Sequence, residues 1–363
     1  MTNLITFHLD DSKNLRGGER QVLYLAEELK KLGVENYIVS RKNSPLYFKS
    51  KEKTIKTLTL PYLFEWDIIS AAMLAYKIKS INKSKKKVII HSHTGHTSSL
   101  AFLASFFIKT KIIVHRRVDF KIKTSFLSRI KYTKADYIIS ISEAIKKILI
   151  EYGIDKNKII VIPSSFRLEK KELKKIVFKD KKIIIGSLIA LVPHKDPLNL
   201  IRAAKIVIES NNNCFFVVGG EGPLKDESAK LIKDLGITDN FQLTGYVEDN
   251  ASFLNSLDIF ILPSREEGLG SVLIEAMNFG LPLVGTDAGG IPEIIENGYN
   301  GFVVPKEDPQ KLAEAILMLI KDKELREKFG KNSFERSKNF TSEIMAKRTL
   351  EVYERAIKNF KFN

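Results

Sequence analysis

Short apolar runs alternate with amphipathic stretches of helical period along almost the entire chain, and few folds satisfy that alternation. In the first half the strand candidates are Leu4–Leu9, Asn36–Ser40, Val88–His91, Lys111–His115, Tyr137–Ile141 and Lys158–Ile162. Among the helical stretches between them are Glu19–Leu32, closed by Gly33, and Ser142–Tyr152, closed by Gly153. Glycine just past the last periodic residue is a C-cap signal. Strands alternating with helices imply βαβ units, a parallel sheet and helices on both faces. Residues 168–180 interrupt the pattern with Lys and Glu and read as a linker. A second series then runs through Lys182–Gly186, Cys214–Val218, Phe241–Thr244, Ile259–Leu262, Leu283–Thr286 and Phe302–Val304. With 363 residues the chain suits two domains. The expected division is 1–167, the linker, 181–340, and a docking helix in 341–363 that crosses back to the first domain. Its stripe is Ile344, Thr349, Val352, Tyr353, Ala356, Ile357 and Phe360. The expected fold class is α/β, two doubly wound Rossmann-like domains facing a cleft, with ligands at the carboxyl ends of the strands.

Charge is divided unequally. Residues 1–175 carry 35 Lys and Arg against 16 Asp and Glu, a net of +19, while the remainder nets −3. Such asymmetry points the first domain toward an anionic partner, and an anionic membrane surface fits best. Nucleic acid is not expected, since no zinc-finger or RNP-type motif accompanies the charge. Lys83–Lys87 and Arg116–Lys123 are the local basic clusters. No apolar run approaches the ~18 residues of a membrane span, and Met1–Phe7 enters a strand without a leader-like segment. The expected location is the cytoplasm, peripheral at the inner face of the membrane. Cys214, the one cysteine, lies in an apolar strand and reads as a core thiol.

The chemistry concentrates in Ser264–Met277. Pro263 closes an apolar strand, Gly268 and Gly270 punctuate a turn, and Val272, Leu273, Ala276 and Met277 recur at helical spacing. Backbone N–H groups at a helix N-terminus reached through glycines suit a phosphate. Glu267 and Glu275 flank the turn, and a carboxylate accepts two hydrogen bonds from a sugar diol. Together these suit a nucleotide-sugar.

Glu267-Gly-Leu-Gly-Ser-Val-Leu-Ile-Glu275 resembles the paired-glutamate motif of the retaining glycosyltransferases of family 4, which have the GT-B fold. Gly280-Leu-Pro-Leu-Val284, Gly289-Gly-Ile-Pro-Glu293 and Asn297-Gly-Tyr-Asn-Gly301 follow in the family's order. The resemblance implies that Glu275 binds the donor ribose and that Glu267 meets the transferred sugar near the reacting carbon. Gly268, Leu269, Gly270 and Ser271 would offer main-chain N–H groups, and Lys195 would meet the departing diphosphate. Gly220, in Val218-Gly-Gly-Glu-Gly-Pro223, and Tyr246-Val247 resemble the nucleotide-side loops. Gly17 and Gly18 match the early glycine pair of the first domain. His93, in His91-Ser-His93, matches the histidine that hydrogen-bonds the donor sugar in an oxocarbenium-like transition state. Arg116, Arg117 and Asp119 follow the next strand and would meet the acceptor.

This chain departs from the family pattern twice. Ala190 stands where the partner arginine of Lys195 is usual, with His194, Arg116 or Arg117 as candidate substitutes, and Ser165 stands where glycine is frequent. His91 and His93 share one side of a strand end as two metal ligands would, but no Cys, Asp or Glu motif completes a set. There is no Asp-x-Asp motif. No metal or cofactor is therefore expected, only the nucleotide-sugar as co-substrate. The function implied is retaining transfer of a sugar to a hydroxyl of a glycan or lipid-linked acceptor, in cell-envelope polysaccharide or lipopolysaccharide synthesis. A sugar-nucleotide epimerase of the same fold and a non-catalytic nucleotide-sugar or polyanion binder are the alternatives.

Overall fold

The computed structural model describes residues 3–120, 122, 125–167, 173–178 and 182–358. It divides into two units, residues 1–165 with 342–363, and residues 166–341. Most of the linker expected at 168–180 lies outside the described residues.

The first unit is built on seven parallel strands: β1 (Leu4–Leu9), β2 (Glu35–Ser40), β3 (Lys56–Thr59), β4 (Lys87–Ser92), β5 (Lys111–Arg116), β6 (Tyr137–Ser140) and β7 (Ile159–Val161). Their order is β3-β2-β1-β4-β5-β6-β7, all pairs parallel. Strands of a sheet covered on both faces read as continuous apolar runs rather than alternations. That is why β1, buried at every position, was legible while the half-exposed edge strand β3 was not. The connecting helices are α1 (Gly17–Lys31), α2 (Pro45–Glu52), α3 (Ile68–Ile81), α4 (Gly95–Ala104), α5 (Phe126–Thr133) and α6 (Glu143–Glu151). Side-chain caps start most of them: Ser44, Asp67, Thr94, Ser125 and Ser142 each accept a first-turn N–H.

The second unit has six parallel strands: β8 (Ile183–Leu188), β9 (Cys214–Gly219), β10 (Phe241–Gly245), β11 (Ile259–Leu262), β12 (Leu283–Thr286) and β13 (Gly301–Val304). Their order is β10-β9-β8-β11-β12-β13. Its helices are α7 (Pro197–Ser210), α8 (Lys225–Asp234), α9 (Asn250–Leu254), α10 (Ser271–Asn278), α11 (Ile291–Ile294), α12 (Pro309–Lys321) and α13 (Lys323–Ser337). Cys214 is buried at the start of β9, where burial pushes its thiol up to about 11.

The last helix, α14 (Ser342–Lys358), belongs to the first unit. Val352, Tyr353 and Ala356 enter a core with Leu4, Leu25, Leu29, Ile89, Ile113 and Ile139. Met345 and Ala346 join that core, whereas Ile344 is exposed, so the apolar stripe begins one residue later than the spacing suggests. Phe360 lies outside the described residues. Arg348 Nη2 donates to the Val161 carbonyl at 2.7 Å and fastens the helix to β7. Ser165 is bound to α1: its N–H donates to Gln21 Oε1 at 2.8 Å and its carbonyl accepts from Gln21 Nε2 at 2.7 Å.

Each sheet reverses its winding once, between β1 and β4 in the first unit and between β8 and β11 in the second. Doubly wound sheets bind ligands beyond the carboxyl ends of the strands at such a reversal. The residues following those four strands therefore frame the candidate site.

Candidate active site

In the second unit the strand ends at the reversal lead into Ile189–Lys195 and Pro263–Gly270. Main-chain bonds hold the two loops together, because the His194 carbonyl accepts from the N–H of Arg265 at 2.9 Å and of Glu266 at 3.2 Å. Arg265 is further fixed by Asp196, which takes Nε at 2.8 Å and Nη2 at 3.1 Å, and by Glu307 at 3.1 Å. Asp196 also caps α7 from a left-handed conformation. This scaffold sets Lys195 Nζ 2.6 Å from Glu267 Oε2, both largely shielded from solvent. The two residues assigned to diphosphate and sugar thus form a salt bridge with each other. Arg265 and Asp196, which build that bridge, were not singled out in the sequence. Asp before Pro at a helix start was the available signal.

The glycines of the motif have separate reasons. Gly270 is the left-handed N-cap of α10 (φ 80°) and supplies no capping side chain; Ser271 after it is exposed, and the N–H of Leu273 donates to the Gly270 carbonyl at 2.8 Å. Gly289 (φ 51°) and Gly290 lie directly on the Glu267 loop. A Cβ at Gly289 would fall 1.8 Å from the Glu267 carbonyl oxygen, and one at Gly290 2.6 Å from that of Gly268. The N–H of Gly290 donates to Glu267 O at 2.9 Å. This glycine pair packs directly on the loop that carries Glu267. Gly268 and Leu269 are buried, and Glu275 lies on α10, accepting from Asn250 Nδ2 at 3.4 Å. Gly220 (φ 139°) packs on the carbonyl of Ile189, where a Cβ would come within 1.8 Å. Val247 fills the space that Gly219 leaves, while Tyr246 is 77% exposed. Ala190, at the position of the usual arginine, is exposed.

In the first unit β1 is followed by Asp10, which is 2% exposed. Burial pushes its carboxyl up to about 6, against the hydrogen bond from Ser12. Asp11 accepts from Thr94 Oγ1 at 2.6 Å and pairs with His96 Nδ1 at 2.8 Å, tying β1 to the start of α4. Gly17 and Gly18 open α1, with the Glu19 carboxylate accepting from Arg16 N–H at 2.6 Å. Neither glycine has a positive φ. A Cβ on Gly17 would meet nothing within 4 Å, and one on Gly18 only the Arg117 side chain at 3.8 Å. The fold itself does not demand glycine there.

Beside them four imidazoles are buried together: His8, His91, His93 and His115. His93 was legible from its motif, but His8 and His115 come from neighbouring strands and only the parallel register unites them. Arg117 Nη2 lies 3.3 Å from His93 Nδ1 and 3.5 Å from His115 Nδ1. Guanidinium only donates, so His93 accepts at Nδ1 and carries its proton on Nε2. That proton is given to His8 Nδ1 at 3.2 Å. His91 Nδ1 bonds the Tyr353 hydroxyl at 2.6 Å, which makes it a structural link to α14. Burial first, and then Arg117 and the neighbouring rings, hold His93 and His91 far below the usual imidazole range and bring His8 down to about 3. His115 is likewise held low by burial and Arg117. All four rings are neutral. Arg117 itself is lowered to about 10 by burial, and its Nε and Nη1 are enclosed without a partner.

Among the described residues, the donor atoms of His8, His91 and His93 lie within 4.8 Å of one another, a spacing that would suit a metal ion. The sequence reading overlooked this trio. The hydrogen-bond direction disfavours the ion, because His93 Nε2 is protonated while Nδ1 accepts from Arg117, and a cation would sit beside a buried guanidinium. Of the acceptor candidates, Arg116 is bound to the Phe120 carbonyl and to Tyr132 Oη at 3.1 Å, and half-buried Asp119 follows β5.

Two doubly wound parallel sheets, one carrying a Lys–Glu pair near a helix start without a capping side chain, define the class of fold. Comparison makes this specific. The model for Glycosyltransferase Family 4 matches residues 15–170 and that for Glycosyl transferases group 1 matches residues 169–336. An uncharacterized glycosyltransferase of Methanocaldococcus jannaschii is 32% identical over 322 residues, 85% of this chain and 87% of the relative. The capsular polysaccharide biosynthesis glycosyltransferase CapM of Staphylococcus aureus is 28% identical, covering 92% and 93%. The Escherichia coli UDP-Gal:alpha-D-GlcNAc-diphosphoundecaprenol alpha-1,3-galactosyltransferase is 27% identical over 67% and 69%. Among solved structures, a glycosyltransferase of Rickettsia africae superposes with a TM-score of 0.83 at 22% identity, covering 98% and 99%. HepE of Anabaena, in complex with UDP and glucose, gives 0.80 at 19% identity over 97% and 99%. The chain belongs to the family 4 glycosyltransferases of GT-B fold.

Proposed function

We propose that this enzyme moves a sugar from a nucleoside diphosphate donor to a hydroxyl of a glycan or lipid-linked acceptor, with retention of configuration and without a metal ion. The observation that carries the reading is the Lys195–Glu267 pair, 2.6 Å apart beside the uncapped start of α10. A donor diphosphate takes Lys195 as its counter-ion, and the Glu267 carboxylate is released to the hydroxyls of the transferred sugar. Main-chain N–H groups at Gly268–Ser271 share the negative charge, and Glu275 holds the ribose. Charge that develops on the leaving phosphate then meets donors already in position, which is the larger part of catalysis in such sites. The leaving phosphate accepts the proton of the incoming hydroxyl on the same face, so no protein nucleophile is required.

In the first unit the open space at Gly17 and Gly18, which no backbone constraint explains, fits close approach of a ligand. Arg117, with two enclosed N–H groups unpartnered, turns toward an anionic group there. His93 then has its Nδ1 lone pair free to accept from a sugar hydroxyl. It acts as a neutral ring, since protonation is disfavoured by burial and by Arg117. Diphosphate neutralisation by Lys195 and main-chain donors makes a divalent cation unnecessary. The acceptor class is drawn from relatives of capsular and lipid-diphosphate-linked glycan synthesis.

Purified protein screened against nucleotide-sugars by thermal shift identifies the donor, because a ligand of the native state raises its melting temperature. With labelled donor the expected product is an α-linked glycoside from an α-linked donor, unaffected by EDTA. Lys195→Ala is expected to weaken donor binding by about 1.5–3 kcal/mol. Glu275→Gln should weaken it too, and Glu267→Ala should lower turnover more than stability. Epimerised nucleotide-sugar, or no turnover of any donor, would overturn the proposal.

A further inference from the structure

Helix α3 is apolar on both sides. Ala71, Leu74, Ala75 and Ile78 face the core, but Ile68, Ile69, Met73 and Tyr76 face water, with 59%, 60%, 39% and 75% of their surfaces exposed. A surface helix of a globular protein ordinarily turns charge outward, and one apolar all round is covered by something. The neighbouring segments extend the same character. Leu63 and Phe64, just before the helix, are more than half exposed, and Phe106 and Phe107, just after α4, are 70% and 43% exposed.

These residues are presented by a fixed frame. The Asp67 carboxylate accepts from Leu63 N–H at 3.0 Å and from Ser70 N–H at 2.9 Å, locking the loop to the helix it caps. His96 of α4 bonds the Phe64 carbonyl, and Trp66 stacks edge-on against Phe102, which in turn meets Phe106. Glu65, the second carboxylate of the region, is paired with Lys131 Nζ at 2.6 Å. At the C-terminal end of α3 lies a groove of about 370 Å³, lined by Lys79, Lys85, Lys86 and Lys109 together with Phe107 and Asn82.

We propose that this face of the first unit docks on an anionic lipid bilayer. The exposed side of α3, Leu63, Phe64 and Phe106 enter the interface between headgroups and acyl chains, and the lysine-lined groove receives a lipid phosphate. Charge complementarity selects this occupant: an apolar strip edged by lysines, in the half of the chain whose net charge is +19, matches a surface that is apolar below and anionic above. The clusters read from the sequence contribute less than their spacing suggests. Lys86 is taken up by Glu35, Lys87 by the Ile357 carbonyl and Arg116 by Tyr132, while Lys121 and Lys123 lie outside the described residues. The proposal rests on the reading of a lipid-linked acceptor, because attachment brings the enzyme to where such a substrate lies.

The test is co-sedimentation of the full chain with vesicles of phosphatidylglycerol and phosphatidylcholine, beside vesicles of phosphatidylcholine alone. Binding is expected to the anionic vesicles only, and to weaken with salt. Ile69→Asp with Tyr76→Asp should weaken it at least tenfold, and Lys79→Glu with Lys85→Glu similarly, with melting temperature and nucleotide-induced thermal shift unchanged. Binding of the Asp variant equal to wild type, or no binding to anionic vesicles at low salt, overturns the docking face. So does a wild-type dimer in light scattering that the Asp variant dissolves, since a second copy would then be the cover. Loss of nucleotide-sugar response in the wild type would instead remove the enzymatic reading and leave the vesicle result standing.

Discussion

Acid should unfold the first unit through its histidines, and the size of the effect follows from their burial. An unfolded imidazole titrates near 6.5, whereas His8 in the fold is brought down to about 3. The fold therefore binds fewer protons than the unfolded chain throughout that interval. A lowered folded value means that the stabilising contribution is intact above pH 6.5 and is lost as pH falls toward 3. For His8 alone the linkage integral gives a loss of about 1.4 kcal/mol at pH 5.5 and about 2 kcal/mol at pH 5. His91, His93 and His115 shift in the same direction and add to that loss. Asp10 works against them, regaining about 1 kcal/mol over the same range because its carboxyl is held up near 6. With four rings losing and one carboxyl regaining, the net change is a loss, set against a stability of about 5–15 kcal/mol for an ordinary domain. Trp66, the one tryptophan of the chain, lies in the first unit and reports its unfolding by fluorescence. Urea titrations from pH 8 to 5 should show this steep fall. His8→Asn keeps an acceptor for His93 and removes one titrating ring. Its stability should fall less steeply, by about 1.4 kcal/mol per pH unit between pH 6 and 4. A wild type equally stable at pH 7.5 and 5.5, or a His8→Asn variant with the wild-type slope, would refute the reasoning.

Two further outcomes follow from single positions. Asp10→Asn removes a carboxyl whose raised folded value favours the fold only at low pH. It should stabilise the protein by about 1–3 kcal/mol at pH 8 and by little at pH 4, read from the same urea titrations. Gly289→Ala places a methyl against the Glu267 carbonyl at a left-handed φ, so it should cost about 2–4 kcal/mol and reduce turnover. Wild-type stability and turnover in that variant would show that the Glu267 loop does not depend on this contact.

What could be read from the chain depended on how local the physics was. Among buried parallel strands, β11 announces itself as an unbroken apolar run and β1 as one broken only by Thr6 and His8, and glycine closures mark α1 and α6. The segment from Arg41 to Lys87 was nearly silent because α2 is short and β3 is an edge. Helix α3 is apolar on both sides and so lacks the periodic contrast that marks an amphipathic helix. At the site, Glu267, Glu275 and Lys195 carried a motif, but their mutual arrangement did not. The 2.6 Å bridge depends on the His194 carbonyl, Asp196 and Arg265 across 69 positions of sequence. The histidine cluster is more distant still, since His8, His91 and His115 become neighbours only when β1, β4 and β5 pair in parallel register.

The glycines separate the constraints of fold from those of ligand more sharply than the charged residues do. Gly220, Gly289 and Gly290 each face a backbone oxygen that a Cβ would strike, so packing alone retains them. Gly17 and Gly18 have ordinary φ values and open surroundings, and a side chain there would disturb nothing in the protein itself. Alanine at Gly17 should even favour the helix it starts, by lowering the entropy of the unfolded chain by about 0.4–1 kcal/mol. Under the proposed function, the reason for glycine is a ligand that approaches the main chain there. If that reason holds, Gly17→Ala is more stable than wild type and slower in transfer, a pairing that packing defects do not produce. A variant both more stable and fully active would leave the glycine without a function in catalysis.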